Sequence, residues 1–261
     1  MIDAHIHLYQ YTDIEKRIQH WQKEGIECVV AVSNNLKSAY ETLELRQRYP
    51  DFIMAGVGYH PEQKPMNRRD MTELEELIYS EKEAVSFIGE VGLPYYILDQ
   101  LTADEQGLQL EQFARWVEVA KQTQLPLAVH AVHSQAEQAL TLLKKVPEVQ
   151  AHFHWLKAPE QVIKEIVAAG HLISVTPEIC YRERDQKLAE MVPITQLLLE
   201  TDGPWPFNGP FENEETSPLL LKPIAEKIAD VKQIPLSNVI QQTITNTNSI
   251  YNLNQKQKRK S

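Results

Sequence analysis

Gln196-Leu197-Leu198-Leu199-Glu200-Thr201-Asp202 is a short apolar run that ends in acidic residues, and it is the eighth such run in the chain. The others lie near residues 2–8, 27–32, 53–59, 85–91, 125–130, 149–154 and 171–175. Stretches of helical period separate them, at 14–24, 36–49, 71–81, 103–123, 134–145, 159–169 and 184–191, and two more follow at 218–231 and 236–246. Short strand-like runs alternating with longer helical patterns are the signature of repeated βα units around a parallel sheet. Eight units predict an α/β fold of the (β/α)8 TIM-barrel type in a single domain. Periodicity alone leaves a doubly wound open sheet as the other arrangement of the same units.

A chain of 261 residues, 43% of them hydrophobic, has the length of one such barrel. Proline-rich stretches at 59–65 and 203–210 follow strand ends, so they read as loops at one rim rather than as linkers. The barrel domain is expected to cover 1–253, and the polar basic tail 254–261, with Lys256, Lys258, Arg259 and Lys260, is given no role. Only Cys28 and Cys180 are present, and no secretory signal pattern opens the chain, so the cytoplasm is the expected compartment. No apolar run reaches the roughly 18 to 20 residues that span a bilayer. A formal net charge of −10 argues against an extended nucleic-acid-binding surface, because such binding draws its strength from Lys and Arg on phosphates. A phosphate-bearing substrate must then be held locally, by metal or by a few basic side chains.

The first run contains Asp3-Ala4-His5-Ile6-His7, where strand period two puts His5 and His7 on one face. Barrel interiors favour branched apolar side chains, and a divalent metal satisfies two inward imidazoles at once. Taken alone, the pair also reads as two surface or hydrogen-bonded histidines. Four further groups end other runs: Glu90, His130, Asp202 and a histidine of the sixth run, His152 or His154. Each buried polar group would cost roughly 1 to 3 kcal/mol if unpaired, so six of them at one rim predict a shared site for one or two divalent metals. Mixed imidazole and carboxylate donors suit Zn, Mn, Mg, Ni, Co or Fe.

The sequence resembles the TatD-like metal-dependent hydrolases of the amidohydrolase superfamily over nearly its whole length. The likeness rests on the His-x-His start, on Gly58-Tyr59-His60-Pro61, on Ile88-Gly89-Glu90-Val91-Gly92-Leu93 with Tyr95-Tyr96, on Leu125-Pro126 through His130, on Leu199-Glu200-Thr201-Asp202-Gly203-Pro204, and on Asn246 with Ile250-Tyr251. The resemblance implies metal ligation by His5, His7, Glu90, His130, His154 and Asp202. It also selects His154 over His152, because the spacing through Glu160 to Ala169-Gly170 then needs no insertion.

A carboxylate can span two cations, which makes Glu90 the expected bridge, with His5 and His7 on one side and His130 and His154 on the other. Asp202 is the expected proton acceptor for a metal-activated water. His60 faces the same rim as a catalytic or substrate-binding group. Arg182 and Arg184 read either as a phosphate clamp or as a salt-bridged helix start, and Trp155, Trp205 and Phe207 as stacking faces or rim packing. Cys180 has no basic partner at a defined spacing and is not expected to be a nucleophile.

Three departures from the family pattern are visible. Pro94 stands where an aspartate is common, Val132 where an arginine is common, and Trp155-Leu156-Lys157 replaces a cysteine, a phenylalanine and a small residue. They bear on what is bound rather than on metal binding. The expected function is phosphoester hydrolysis at a DNA or nucleotide end, or on a small molecule. Amide, lactone or carboxylic-ester hydrolysis by the same centre, and a silent metal-binding barrel, are the other readings.

Overall fold

The computed structural model describes residues 1–251, so the tail and the expected domain boundary at 253 lie outside the described residues. Strands β1 (Ile2–Ile6), β2 (Cys28–Ala31), β3 (Ile53–Val57), β4 (Val85–Gly92), β5 (Leu127–His130), β6 (Ala151–Phe153), β7 (Leu172–Val175) and β8 (Leu197–Leu199) form one sheet in sequence order. Every pairing within it is parallel. Closure occurs just past the last strand, where the Asp202 N–H donates to His5 O at 3.0 Å and the His7 N–H to Gly203 O at 2.8 Å. A closed barrel, not an open sheet, is the outcome.

Helices α1 (Ile14–Lys23), α2 (Leu36–Arg48), α3 (Arg68–Ser80), α4 (Ala103–Thr123), α5 (Ser134–Leu143), α6 (Glu160–Ala168), α7 (Glu183–Met191), α8 (Leu221–Lys232) and α9 (Leu236–Ile250) surround the barrel. Their starts carry local signals. Asn35 and Thr102 each close a capping box with the residue three positions on, Ser38 and Glu105, satisfying amides that the first helical turn leaves free. Asn67 caps α3, which starts three residues before the helical period becomes visible. The larger core fills the space between strands and helices, while Ile2, Ala4, Val30, Met54, Phe87, Ala128, Leu172 and Leu198 pack inside the barrel, joined by Ile250 and Tyr251 at the end of α9. No helix among the described residues is long and apolar enough to cross a membrane.

Two strands break their alternation at the points that matter for the site. The β1–β2 register shifts between Asp3 and Ile6, and the β4–β5 register shifts between Ile88 and Val91. Ala4 packs in the inner cluster and Ile6 in the outer one, although they are two residues apart. Such irregularities re-aim side chains beside functional sites, and here they turn His5 and Glu90 inward. Strand β1 also ends at Ile6, two residues short of the expected run, with His7 leading into a 3-10 turn at Leu8–Gln10. Gly92 lets β4 and β5 approach at this level: its φ is +154°, and a Cβ there would collide with the His130 carbonyl.

Candidate metal centre

His5, His7, Glu90, His130, His154 and Asp202 meet at the C-terminal mouth of the barrel, all of them buried. Glu90 lies at the middle with no exposed side-chain surface. Its Oε1 faces His154 Nε2 at 2.7 Å, His60 Nε2 at 3.1 Å and His130 Nδ1 at 3.2 Å. Its Oε2 faces the opposite set, His5 Nε2 at 3.3 Å and His7 Nε2 at 3.5 Å. Asp202 Oδ1 completes that second set, 3.1 Å from His7 Nε2 and 3.4 Å from His5 Nε2. Asp202 has φ +50°, a left-handed conformation that a short polar side chain tolerates better than most.

Neighbouring groups fix the ring protons. His130 Nε2 stands 3.1 Å from Glu62 Oε1, and a carboxylate only accepts, so Nε2 carries a proton, while Nδ1 faces the centre, 3.2 Å from Glu90 Oε1. Burial would raise the pKa of Glu62, but hydrogen bonds from His130 and the Tyr95 and Tyr96 amides outweigh it and hold the carboxyl below its ordinary value. His60 is arranged the other way round. Its Nδ1 accepts the Glu62 N–H at 3.1 Å, so a neutral ring carries its proton on Nε2, aimed at Glu90. His60 therefore turns an N–H rather than a lone pair toward this centre.

Burial penalises the charge on Glu90, yet His60, His154 and His5 around it prevail and hold its pKa well below the usual carboxylate range. At His154 burial disfavours the imidazolium, but Glu90 and Glu200 outweigh it and push the pKa well above the histidine norm. The donor set fits a divalent cation. Both nitrogens of His5, both oxygens of Glu90 and His154 Nδ1 are buried without a hydrogen bond of acceptable geometry. His5, His7 and Glu90, and then His5, His154 and Asp202, each bring three ligand-type atoms within 4.8 Å of one another. Imidazole lone pairs and carboxylate oxygens crowded in this way are the donors that divalent metals gather.

His152 lies one layer deeper. Its ring is satisfied by Tyr251 OH at 2.8 Å and Ser174 Oγ at 2.7 Å, which leaves His154 at the mouth. A cavity of about 820 Å³ opens above the centre and includes His60, Val132, Trp155 and Trp205 in its lining. Arg182 stays out of this lining. Its guanidinium turns to Glu178 Oε1 at 3.6 Å and over the Tyr181 ring, and Arg184 is tied to Glu178 and Asp185, so the pair makes the salt-bridged helix start rather than a clamp. Phe207 is buried against Trp155. Burial pushes the Cys180 thiol up to about 11, consistent with an inert side chain.

Sequence reasoning missed Glu62 and Glu200. Glu62 sits in a proline-rich loop with no periodic signal, and only its position two residues after His60 hinted at it. Glu200 is fully buried, accepts the Trp155 N–H at 2.8 Å and stands 3.6 Å from His154 Nδ1. It shares strand parity with the inward Leu198, a signal that was available.

The family model described as TatD related DNase matches residues 2–252. A protein of Haemophilus influenzae named an uncharacterized metal-dependent hydrolase is 35% identical over 97% of this chain and 100% of its own. The human protein named deoxyribonuclease TATDN3 is 27% identical, over 96% of this chain and 94% of its own. The crystal structure of the TatD homologue YjjV from Escherichia coli superposes with a TM-score of 0.84 at 22% identity, covering 97% of this chain and 98% of that one, and shares the barrel fold. The chain belongs to the TatD family of metal-dependent hydrolases.

Proposed function

We propose that this protein hydrolyses phosphodiesters at nucleic-acid ends through a centre that holds two divalent cations. The observation that carries the reading is the division of Glu90: one oxygen faces His130 and His154, the other faces His5 and His7. A carboxylate so divided suits a bridge, with Asp202 joining the His5 and His7 side. When bound, divalent cations in such a site polarise a phosphoryl group and acidify water. Both carboxylates border the cavity, but Asp202 keeps 8% of its side-chain surface exposed and Glu90 none, so Asp202 is the one placed to take a proton from the attacking water. His60 Nε2–H can then donate to a phosphoryl oxygen. The human relative's name supports phosphodiesters as the substrate class.

The test is a panel of bis(p-nitrophenyl) phosphate, short oligonucleotides, lactones and amides, offered to protein of measured metal content. Phosphodiester turnover that a chelator abolishes and added Mn or Zn restores is expected. Turnover confined to lactones or amides would overturn the reading. Glu62→Gln probes the support beneath His130. Losing this carboxylate partner is expected to weaken metal affinity about 10- to 100-fold, read by competition with a chromophoric chelator, while the fold is kept. Unchanged affinity would remove Glu62 from the centre.

A further inference from the structure

Beneath the mouth, the barrel interior is filled by apolar side chains such as Ala4, Val30, Met54, Phe87 and Leu198. An imidazole and a phenol interrupt it, His152 and Tyr251, both fully enclosed. Tyr251 OH lies 2.8 Å from His152 Nδ1, and Ser174 Oγ lies 2.7 Å from His152 Nε2. The same Nε2 stands 3.6 Å from Glu200 Oε2, an oxygen buried without a hydrogen bond of acceptable geometry. One tautomer suits these contacts. With the ring proton on Nε2, Tyr251 O–H donates to Nδ1, and the Nε2–H points at Ser174 Oγ with Glu200 Oε2 beyond it. The reverse tautomer would aim an Nε2 lone pair at that carboxylate oxygen. Glu200 carries the chain upward: its Oε1 accepts the Trp155 N–H at 2.8 Å and stands 3.6 Å from His154 Nδ1.

We propose that His152 is a positioning residue for the metal centre: anchored by Tyr251 at the end of α9, it holds Glu200 in place, and Glu200 sets the orientation of the His154 ring. The inference rests on the reading of His154 as a ligand in the two-cation centre. As a ligand through Nε2, which faces Glu90 Oε1 at 2.7 Å, His154 keeps its ring proton on Nδ1, toward Glu200. A carboxylate behind a metal-binding histidine fixes the ring and raises its basicity, and it does so only where the carboxylate is itself held. On Oε1 the Trp155 amide supplies that hold, and on Oε2 the donor that the described residues set before it is His152. The anchor is well placed for this. Asn246 Nδ2 donates to Ile194 O and Leu197 O, both at 2.8 Å, so α9 is fastened to the start of the strand that leads to Glu200. Leucine and phenylalanine in place of His152 and Tyr251 would fill the layer as its apolar neighbours do, with no polar atom to satisfy. They would lack the donor beneath Glu200.

The experiment titrates the full chain, stripped of metal by a chelator, with cobalt(II), whose visible absorption reports the ligand arrangement; the melting temperature of the metal-free form is measured beside it. His152→Leu is expected to weaken uptake of one cobalt ion about tenfold, as for loss of an outer-shell partner, and to alter the absorption. It should also lower the metal-free melt, because the Tyr251 hydroxyl loses its acceptor. Adding Tyr251→Phe removes that unpaired group, so the double variant should regain the metal-free melt while cobalt affinity stays low. His152→Gln, which can bring an amide N–H toward Glu200, should recover most of the affinity. A double variant that binds cobalt with wild-type affinity and spectrum would reduce the pair to packing and overturn the inference. Should His152→Leu not fold, Tyr251→Phe decides alone: a weakened, spectrally altered cobalt site supports the inference, and an unchanged one overturns it. His154→Ala separates the inference from the reading beneath it. If that variant loses a cobalt ion and the His152 and Tyr251 variants do not, the inference fails and the ligand reading stands. If His154→Ala takes up cobalt as the wild type does, the ligand reading itself fails.

Discussion

Glu90→Gln is expected to lose at least one equivalent of bound divalent metal and to lower kcat/KM on a phosphodiester by about a thousandfold or more. The change is nearly isosteric, so shape is preserved while the charge and one acceptor oxygen are removed. Glu90 touches both histidine sets, at 2.7 Å to His154 and 3.3 Å to His5, so no other side chain can take its place between them. Several kcal/mol of transition-state stabilisation by metal, at about 1.4 kcal/mol for each factor of ten, gives the magnitude. Metal analysis by mass spectrometry and a thermal melt supply readouts apart from turnover. Wild-type protein should melt at a higher temperature as cation is added, since ligand binding to the folded state alone stabilises it, whereas the variant should respond weakly. A variant that keeps its full metal content and cation-dependent melt would exclude Glu90 as the bridge.

The barrel was legible because each of its strands is covered on both faces, so each reads as a compact apolar run between longer amphipathic patterns. Strand ends were not. Residues 7, 154 and 202 lie outside the regular strands, where hydrogen bonds between loops and strand ends set the backbone, as in the Asp202 N–H to His5 O contact. The 3-10 turns, such as Pro177–Cys180 and Gly209–Phe211, are too short to leave a periodic trace. His5 and His7 share the mouth as expected, but a shifted register and an early strand end bring them there, not uninterrupted period two. The residues that tune the centre were harder to read. Glu62 acts from a loop through His130, a contact that no period in the sequence announces.

Asp202→Asn is expected to lower kcat about 10²- to 10⁴-fold while metal content stays near that of the wild type, the range that separates a positioned general base from none. The asparagine keeps the volume and an oxygen that can face His7, and Glu90 with His5, His7, His130 and His154 still surrounds the centre, so metal loading should survive. What disappears is the capacity to accept a proton at the cavity surface. Glu90 cannot take over that task, because its side chain has no exposed surface and its oxygens are engaged by histidines on both sides. Glu62 cannot either, since its carboxylate is already taken up by His130 and the amides of Tyr95, Tyr96 and Ile97. Steady-state kinetics beside metal analysis on the same preparation checks the prediction. If kcat falls less than about tenfold with metal retained, another group removes the proton. If metal and turnover vanish together, Asp202 acts as a ligand before it acts as a base.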